Sequence, residues 1–453
     1  MSMMKGFSNA FRIPELRKKI LVTLGLVFVC RLIAQIPTPG VDWTALAEVV
    51  RQAASNNMFS WFDTFTGGAL GQCSVGFLSI WPYISAQIVI QLLSSIVPSL
   101  EKLKKEGENG RQQLAQITRY LTIVLCVAQS WGIATVLTHP EMLGLQGTVL
   151  VHNPGLGFHL MTVIGMTSAS LFVMWLADQI TTFGIGNGAS LIIMINITSR
   201  FPHALLDAYR RYFVDKLANY PGLGILILFF LLVVMFTVML VQGVRKVTIH
   251  STRRSIGGGN TFGMRQTFMP LKVNYTGVMP IIFAQPIIQI AGWALKLVGR
   301  GEGRIHDFAQ LLASETSWLH ISVYSALIVF FTFFWVATQF NAVDISDNLK
   351  KDGSYIPGIR PGLATAEYLD DVMTKITLIG ALGLLALAII PSLIYGWSTP
   401  PIPWSIASFF GGTSLLIVVG VALDTLRIME SHLLVRKYDG FLSHGSLRGR
   451  NGV

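Results

Sequence analysis

Apolar residues in this chain come in long blocks parted by short polar stretches, and the block length sets the reading. A helix that crosses the hydrocarbon core needs about 20 predominantly apolar residues. Blocks at 20–36, 120–137, 158–177, 189–206, 223–241, 275–298, 318–340, 376–395 and 402–423 have that character and predict helical spans. The stretch 60–97 differs. It opens with Trp61-Phe62-Asp63-Thr64-Phe65-Thr66-Gly67-Gly68-Ala69-Leu70-Gly71, apolar but too short to cross and loosened by three glycines. A complete span then restarts at Gly76 and runs to Val97, which brings the expected spans to ten. Irregular backbone at membrane depth survives only against protein or beside a wet cavity. The short piece therefore reads either as part of a path through the protein or as a plain re-entrant loop.

Composition agrees with the pattern. Of 453 residues 52% are hydrophobic and only 13% charged, where a soluble domain carries roughly 25%. Mean hydropathy is +0.57. The net charge of +11 first suggests an anionic partner, but its distribution follows topology. With ten spans both termini lie on one side, and the segments on that side hold 25 Lys and Arg against 8 on the other. Basic excess marks the cytoplasmic face, so both termini are expected there. The basic segment 1–19 reads as an amphipathic arm on the membrane surface. The outside loop 199–222, with Arg200, Arg210, Arg211 and Lys216, departs from the rule. The spans divide into an N-terminal half at 20–206 and a C-terminal half at 223–423, with a polar tail at 424–453. Five spans per half require that any internal repeat be inverted in the membrane, as in many transport proteins.

Charge inside spans is costly and usually functional, so its scarcity matters. Arg31 is the exception, near the outer end of the first span, where it is expected to snorkel to the interface. Asp178 and Asp424 are expected as solvated helix ends. His139, His152 and His159 have no metal-site spacing, and Cys30, Cys73 and Cys126 form neither a disulfide framework nor a CxxC pair. There is no nucleotide-binding P-loop. The residues give no case for an enzyme or for a cofactor. They leave two classes: a passive conduit, or a small-solute secondary transporter with inverted repeats, which would need a coupling carboxylate at mid-depth. Ile84 and Ile88 are four apart and share a helix face, which by itself is ordinary packing. The glycine-rich turn at 181–188 reads as a hinge or a tight cytoplasmic turn. Two cytoplasmic loops, 242–274 and 341–375, are too long to be mere connectors. Each reads as a solvated charged loop or as a docking surface for an acidic or RNA partner.

Six stretches then become specific together. They are 62–70, 82–93, Gly184-Ile185-Gly186-Asn187-Gly188, Pro270-Leu271-Lys272-Val273-Asn274, 347–362 with Pro357-Gly358-Ile359-Arg360-Pro361-Gly362, and 411–419 with Gly411-Gly412-Thr413-Ser414. In this order they resemble the SecY/Sec61-alpha family, the channel subunits of the Sec protein translocase, over more than nine-tenths of the chain. The resemblance implies an all-α clamshell of ten transmembrane helices in two five-helix halves with inverted pseudo-symmetry. It implies a protein-conducting channel that passes unfolded secretory polypeptides across the bacterial plasma (inner) membrane and releases transmembrane segments sideways into lipid. By motif position the pore ring falls on Ile84, Ile88, Ile193, Ile282 and Ile417. The plug falls on about 61–71, with Trp61, Phe62, Asp63, Phe65, Gly67, Gly68 and Leu70. Gln91 and Asn274 match lateral-gate positions. Arg245, Lys246, Arg253, Arg254, Lys350, Lys351 and Arg360 match positions that dock the SecA ATPase or the ribosome through its rRNA. SecE and SecG are the implied partner subunits, and a nascent or unfolded polypeptide is the implied substrate. The plug acid Asp63, and Gly258-Gly259-Asn260 in the 242–274 loop, depart from the common pattern of the family.

Overall fold

Helices form wherever the apolar blocks are long, because inside a bilayer every backbone group must be bonded within the segment. The computed structural model describes residues 13–42, 66–69, 71–139, 150–210, 220–251, 265–298, 304–314, 317–397 and 412–444. In chain order the helices are α1 (Pro14–Ile33), α2 (Trp81–Ile96), α3 (Pro98–Lys105), α4 (Glu108–Thr138), α5 (Leu156–Phe183), α6 (Gly188–Tyr209) and α7 (Tyr220–Gln242). A hairpin of β1 (Val244–Ser251) and β2 (Arg265–Lys272) follows. Then come α8 (Met279–Val298), α9 (Arg304–Ala313), α10 (Trp318–Gln339), α11 (Ala342–Lys351), β3 (Ser354–Tyr355), α12 (Leu363–Trp397) and α13 (Thr413–His444). Among the described residues four helices are both long and apolar enough to cross a membrane unaided.

Some boundaries differ from the hydropathy blocks, for physical reasons. The second span begins as a helix only at Trp81, with Pro82 in its first turn, and its 16 residues reach about 24 Å, short of the ~30 Å core. The missing length is supplied by turns through 71–80, where Cys73 and Ser79 have positive φ. Helix α12 begins well before the ninth block, at Leu363, and α13 runs on through residues expected as tail. Charges there lie along exposed turns, such as Asp371–Lys375 at 2.7 Å, and do not stop a helix.

The contacts divide the chain into two compact units, Met1–Pro202 with Val421–Val453, and His203–Gly420. In the first, α4 carries a stripe of small or short side chains every fourth residue: Thr118, Thr122, Cys126, Ser130 and Ala134, all buried. It packs on α5, whose Thr162, Met166 and Ser170 are buried. Lipid offers no hydrophobic drive between helices, so small residues that let backbones approach hold such pairs together. In the second unit a core of Val233, Leu240, Ile281, Ile288, Ile328, Leu384, Leu387 and Leu416 joins α7, α8, α10, α12 and the start of α13. Outward faces stay apolar: Leu228, Leu231, Leu232, Met235 and Met239 on α7 and Leu160, Ile164 and Trp175 on α5 are exposed, as a lipid-facing surface requires.

Within 242–274 the described residues form two antiparallel strands rather than a plain solvated loop. They belong to a three-stranded sheet ordered β2-β1-β3, with Arg245 opposite Leu271 and His250 opposite Tyr355.

Candidate functional site

The ring positions sit on four helices. Ile84 and Ile88 are buried one turn apart on α2, and Ile193 is half-buried on α6 of the same unit. Ile282 on α8 and Ile417 on α13 are buried in the second unit. The stretches that carry them, 81–96, 188–199, 279–295 and 413–423, contain no Asp, Glu, Lys, Arg or His. No group of His, Cys, Asp and Glu among the described residues could hold a metal ion. Such helices can exclude ions and deform around an apolar or polar chain, but they offer nothing that would coordinate a charged solute.

Of the expected plug residues, Trp61, Phe62, Asp63, Phe65 and Leu70 lie outside the described residues. Gly67 and Gly68 are described, and they occupy a polar nest. Both have positive φ, +68° and +95°. The Arg31 guanidinium donates through Nη2 to the Gly67 carbonyl at 3.0 Å and through Nη1 to Asn196 Oδ1 at 3.1 Å. Asn196 Nδ2 donates to Ser79 Oγ at 3.1 Å, and Ser170 Oγ donates to the Ser79 carbonyl at 2.7 Å. The snorkelling expected of Arg31 is thus wrong: its side chain is committed inward, because neutral acceptors there replace the water it would otherwise seek. Asn196 and Ser79 went unnoticed in the sequence, although an amide inside the apolar run Leu191-Ile192-Ile193-Met194-Ile195-Asn196 was a readable signal. Arg200, part of the unexplained basic outside loop, lies against Gly68, with its Cζ 3.5 Å from where a Cβ would stand.

Gate position Gln91 is half-buried on α2, and its carbonyl accepts from Ser94 Oγ at 2.7 Å. Asn274, buried just after β2, accepts from Thr276 Oγ1 at 3.4 Å. The 181–188 turn is locked rather than loose: Gly188 N donates to Thr181 Oγ1 at 2.9 Å and Ile185 N to Thr23 Oγ1 at 3.1 Å. Asp178 is not merely a solvated end, since it accepts from Arg119 at 2.7 Å across α4 and α5.

The described docking candidates share a folded platform. Arg245 and Lys246 are exposed on β1, while Val247 and Leu271 of the same hairpin are buried on Phe340, Ile356, Leu369, Val372 and Met373. Lys350 and Lys351 are exposed in the last turn of α11. Arg360 is exposed while its carbonyl is held by Thr365 Oγ1 at 2.9 Å, and the nearby Gly362 carbonyl by Ser346 Oγ at 2.7 Å. Arg253 and Arg254 lie outside the described residues.

Comparison with known proteins decides among the classes. The SecY family model matches residues 74–426. The chain is 39% identical over 443 residues to the protein translocase subunit SecY of Streptomyces scabiei, covering 97% of this chain and all of that one. It is 38% identical over 436 residues to the protein of the same name from Escherichia coli K12, covering 96% of both. The chain belongs to the SecY family. Among solved structures, one described by its plug domain stabilising the closed state of the translocation channel has a TM-score of 0.58, 18% identity and 92% coverage of both chains. Sec61 in the canine ribosome-channel complex has a TM-score of 0.56 at 16% identity, covering 92% of this chain and 93% of that one. At those identities the likeness is one of fold. As a SecY-family member the chain is a multi-pass membrane protein and a channel subunit of a protein translocase, not an enzyme.

Proposed function

We propose that this channel works as a dry diaphragm, sealed at rest by the plug and opened from the cytoplasmic side by a motor or a ribosome. The ring of Ile84, Ile88, Ile193, Ile282 and Ile417 resists leak because it offers ions no polar partner, yet its branched side chains yield to a polypeptide of any sequence. The observation that carries this is the lack of any Asp, Glu, Lys, Arg or His in the four helical stretches that bear those isoleucines, four of them buried. The same lack speaks against the small-solute transporter, which needs a coupling carboxylate. The plug at 61–71 closes the outer side. The lateral gate, marked by Gln91 and Asn274, lets an apolar segment partition into lipid, where Leu, Ile, Phe and Val each gain roughly 0.3–0.6 kcal/mol at mid-membrane.

The exposed Arg245, Lys246, Lys350, Lys351 and Arg360, on a platform stiffened from below, suit docking to SecA or to ribosomal RNA. SecE and SecG complete the complex. The bacterial plasma membrane is the location that kinship with the bacterial relatives suggests, and the distribution of Lys and Arg supports cytoplasmic termini. The test is reconstitution: proteoliposomes with the purified complex, SecA and ATP should render an unfolded secretory polypeptide protease-resistant inside the vesicle. Failure to protect it, together with gradient-driven uptake of a small solute, would replace this reading with the transporter.

A further inference from the structure

The Arg31 nest does more than satisfy a buried cation. We propose that Arg31 and Asn196 form a latch that fixes the root of the plug and so sets how readily it leaves; this rests on reading 61–71 as the plug. Thr66 and Ala69 are buried on either side of the two glycines, so the root is anchored. The Gly67 carbonyl receives two donors, Arg31 Nη2 at 3.0 Å and Ser199 Oγ at 3.4 Å. A side chain at Gly67 would run into the Arg31 guanidinium and stand 3.1 Å from the Asn196 backbone, so only glycine lets the carbonyl reach its donors. Asn196 is itself held by Ser79, immediately before α2. The root is thereby tied at once to α1, to α6 and to the turn that launches the helix carrying Ile84 and Ile88.

The chemistry suits release. Both acceptors of Arg31 are neutral, an amide and a carbonyl, so freeing Gly67 separates no ion pair. Arg31 keeps Asn196 when Gly67 departs, which leaves the cation partly satisfied while the plug is out and allows return. A carboxylate in place of either acceptor would hold too tightly for a segment that must move. Arg31 and Asn196 are positioning residues, and they touch no substrate.

The experiment measures resting ion conductance of proteoliposomes containing the assembled complex, with wild type, Arg31→Met, Arg31→Lys, a deletion of 61–71, and that deletion combined with Arg31→Met. Arg31→Met should raise the leak on the order of tenfold, the usual effect of losing one charge-assisted hydrogen bond on a two-state equilibrium. Arg31→Lys, which keeps one donor, should fall between. In the deletion background Arg31→Met should add nothing. A wild-type leak in folded Arg31→Met overturns the latch, and so does an added leak in the deletion background, which would mean general destabilisation. A deletion that leaks no more than wild type overturns the plug reading together with the latch. If Arg31→Met does not assemble, Asn196→Ala should show the same leak and the same masking by the deletion, and a silent Asn196→Ala overturns the latch.

Discussion

Replacing Leu271 with alanine should loosen the platform that carries Arg245 and Lys246 without touching the seal. Leu271 is 4% exposed and packs with Val247, Phe340, Leu369 and Met373 beneath the hairpin. An isolated hairpin is marginal in water, so β1 and β2 are held chiefly by this apolar contact. Truncating a buried leucine to alanine costs about 2–5 kcal/mol, through lost transfer energy and the cavity left behind. Taking about 3 kcal/mol at 1.36 kcal/mol per decade, local opening of the hairpin becomes on the order of a hundredfold more frequent. Hydrogen exchange of the assembled complex reads this directly. Amides of Val244–Ser251 should exchange about a hundredfold faster while those of α4 stay unchanged, and polypeptide export should fall with resting conductance unaltered. Exchange within a few-fold of wild type would refute the claim that packing from below stiffens the platform.

Arg360→Glu reverses an exposed charge whose backbone is already fixed by Thr365, so export should drop while the mutant chain still inserts and assembles; normal export would remove the case for this arginine as a motor contact. Gly188→Ala should be costly, by about 1–3 kcal/mol, because a Cβ there collides with the Ala177 carbonyl, and a melting curve indistinguishable from wild type would contradict that geometry. Asp178→Asn should do little: the Arg119 and Asp178 side chains are 53% and 32% exposed, and such a pair contributes about 1 kcal/mol or less. A loss of several kcal/mol in denaturant titration would mean the pair is far better shielded than it is.

Much of the frame was legible because span length is a blunt signal: runs such as 223–241 and 318–340 can be nothing but long apolar helices. What escaped depends on partners distant in sequence. Arg31 was visible as the odd charge in a span, but its acceptors lie 36 and 165 residues on. The hairpin was hidden by its charge. Val247 and Ile249 alternate with Lys246, Thr248 and His250, a period of two in plain view, yet Arg245 and Lys246 drew the reading toward a solvated loop. The short start of the second span followed from Pro82, whose preference for a first helical turn was on the page and outweighed by the apolar run before it.

The isoleucine diaphragm is the centre of this account, and conductance across it is the direct measurement. Complexes carrying Ile88→Gly together with Ile193→Gly, reconstituted without substrate, should pass ions well above the wild-type leak, because backbone and water replace the branched side chains. A conductance equal to wild type in properly assembled complexes would show that these residues do not close the pore.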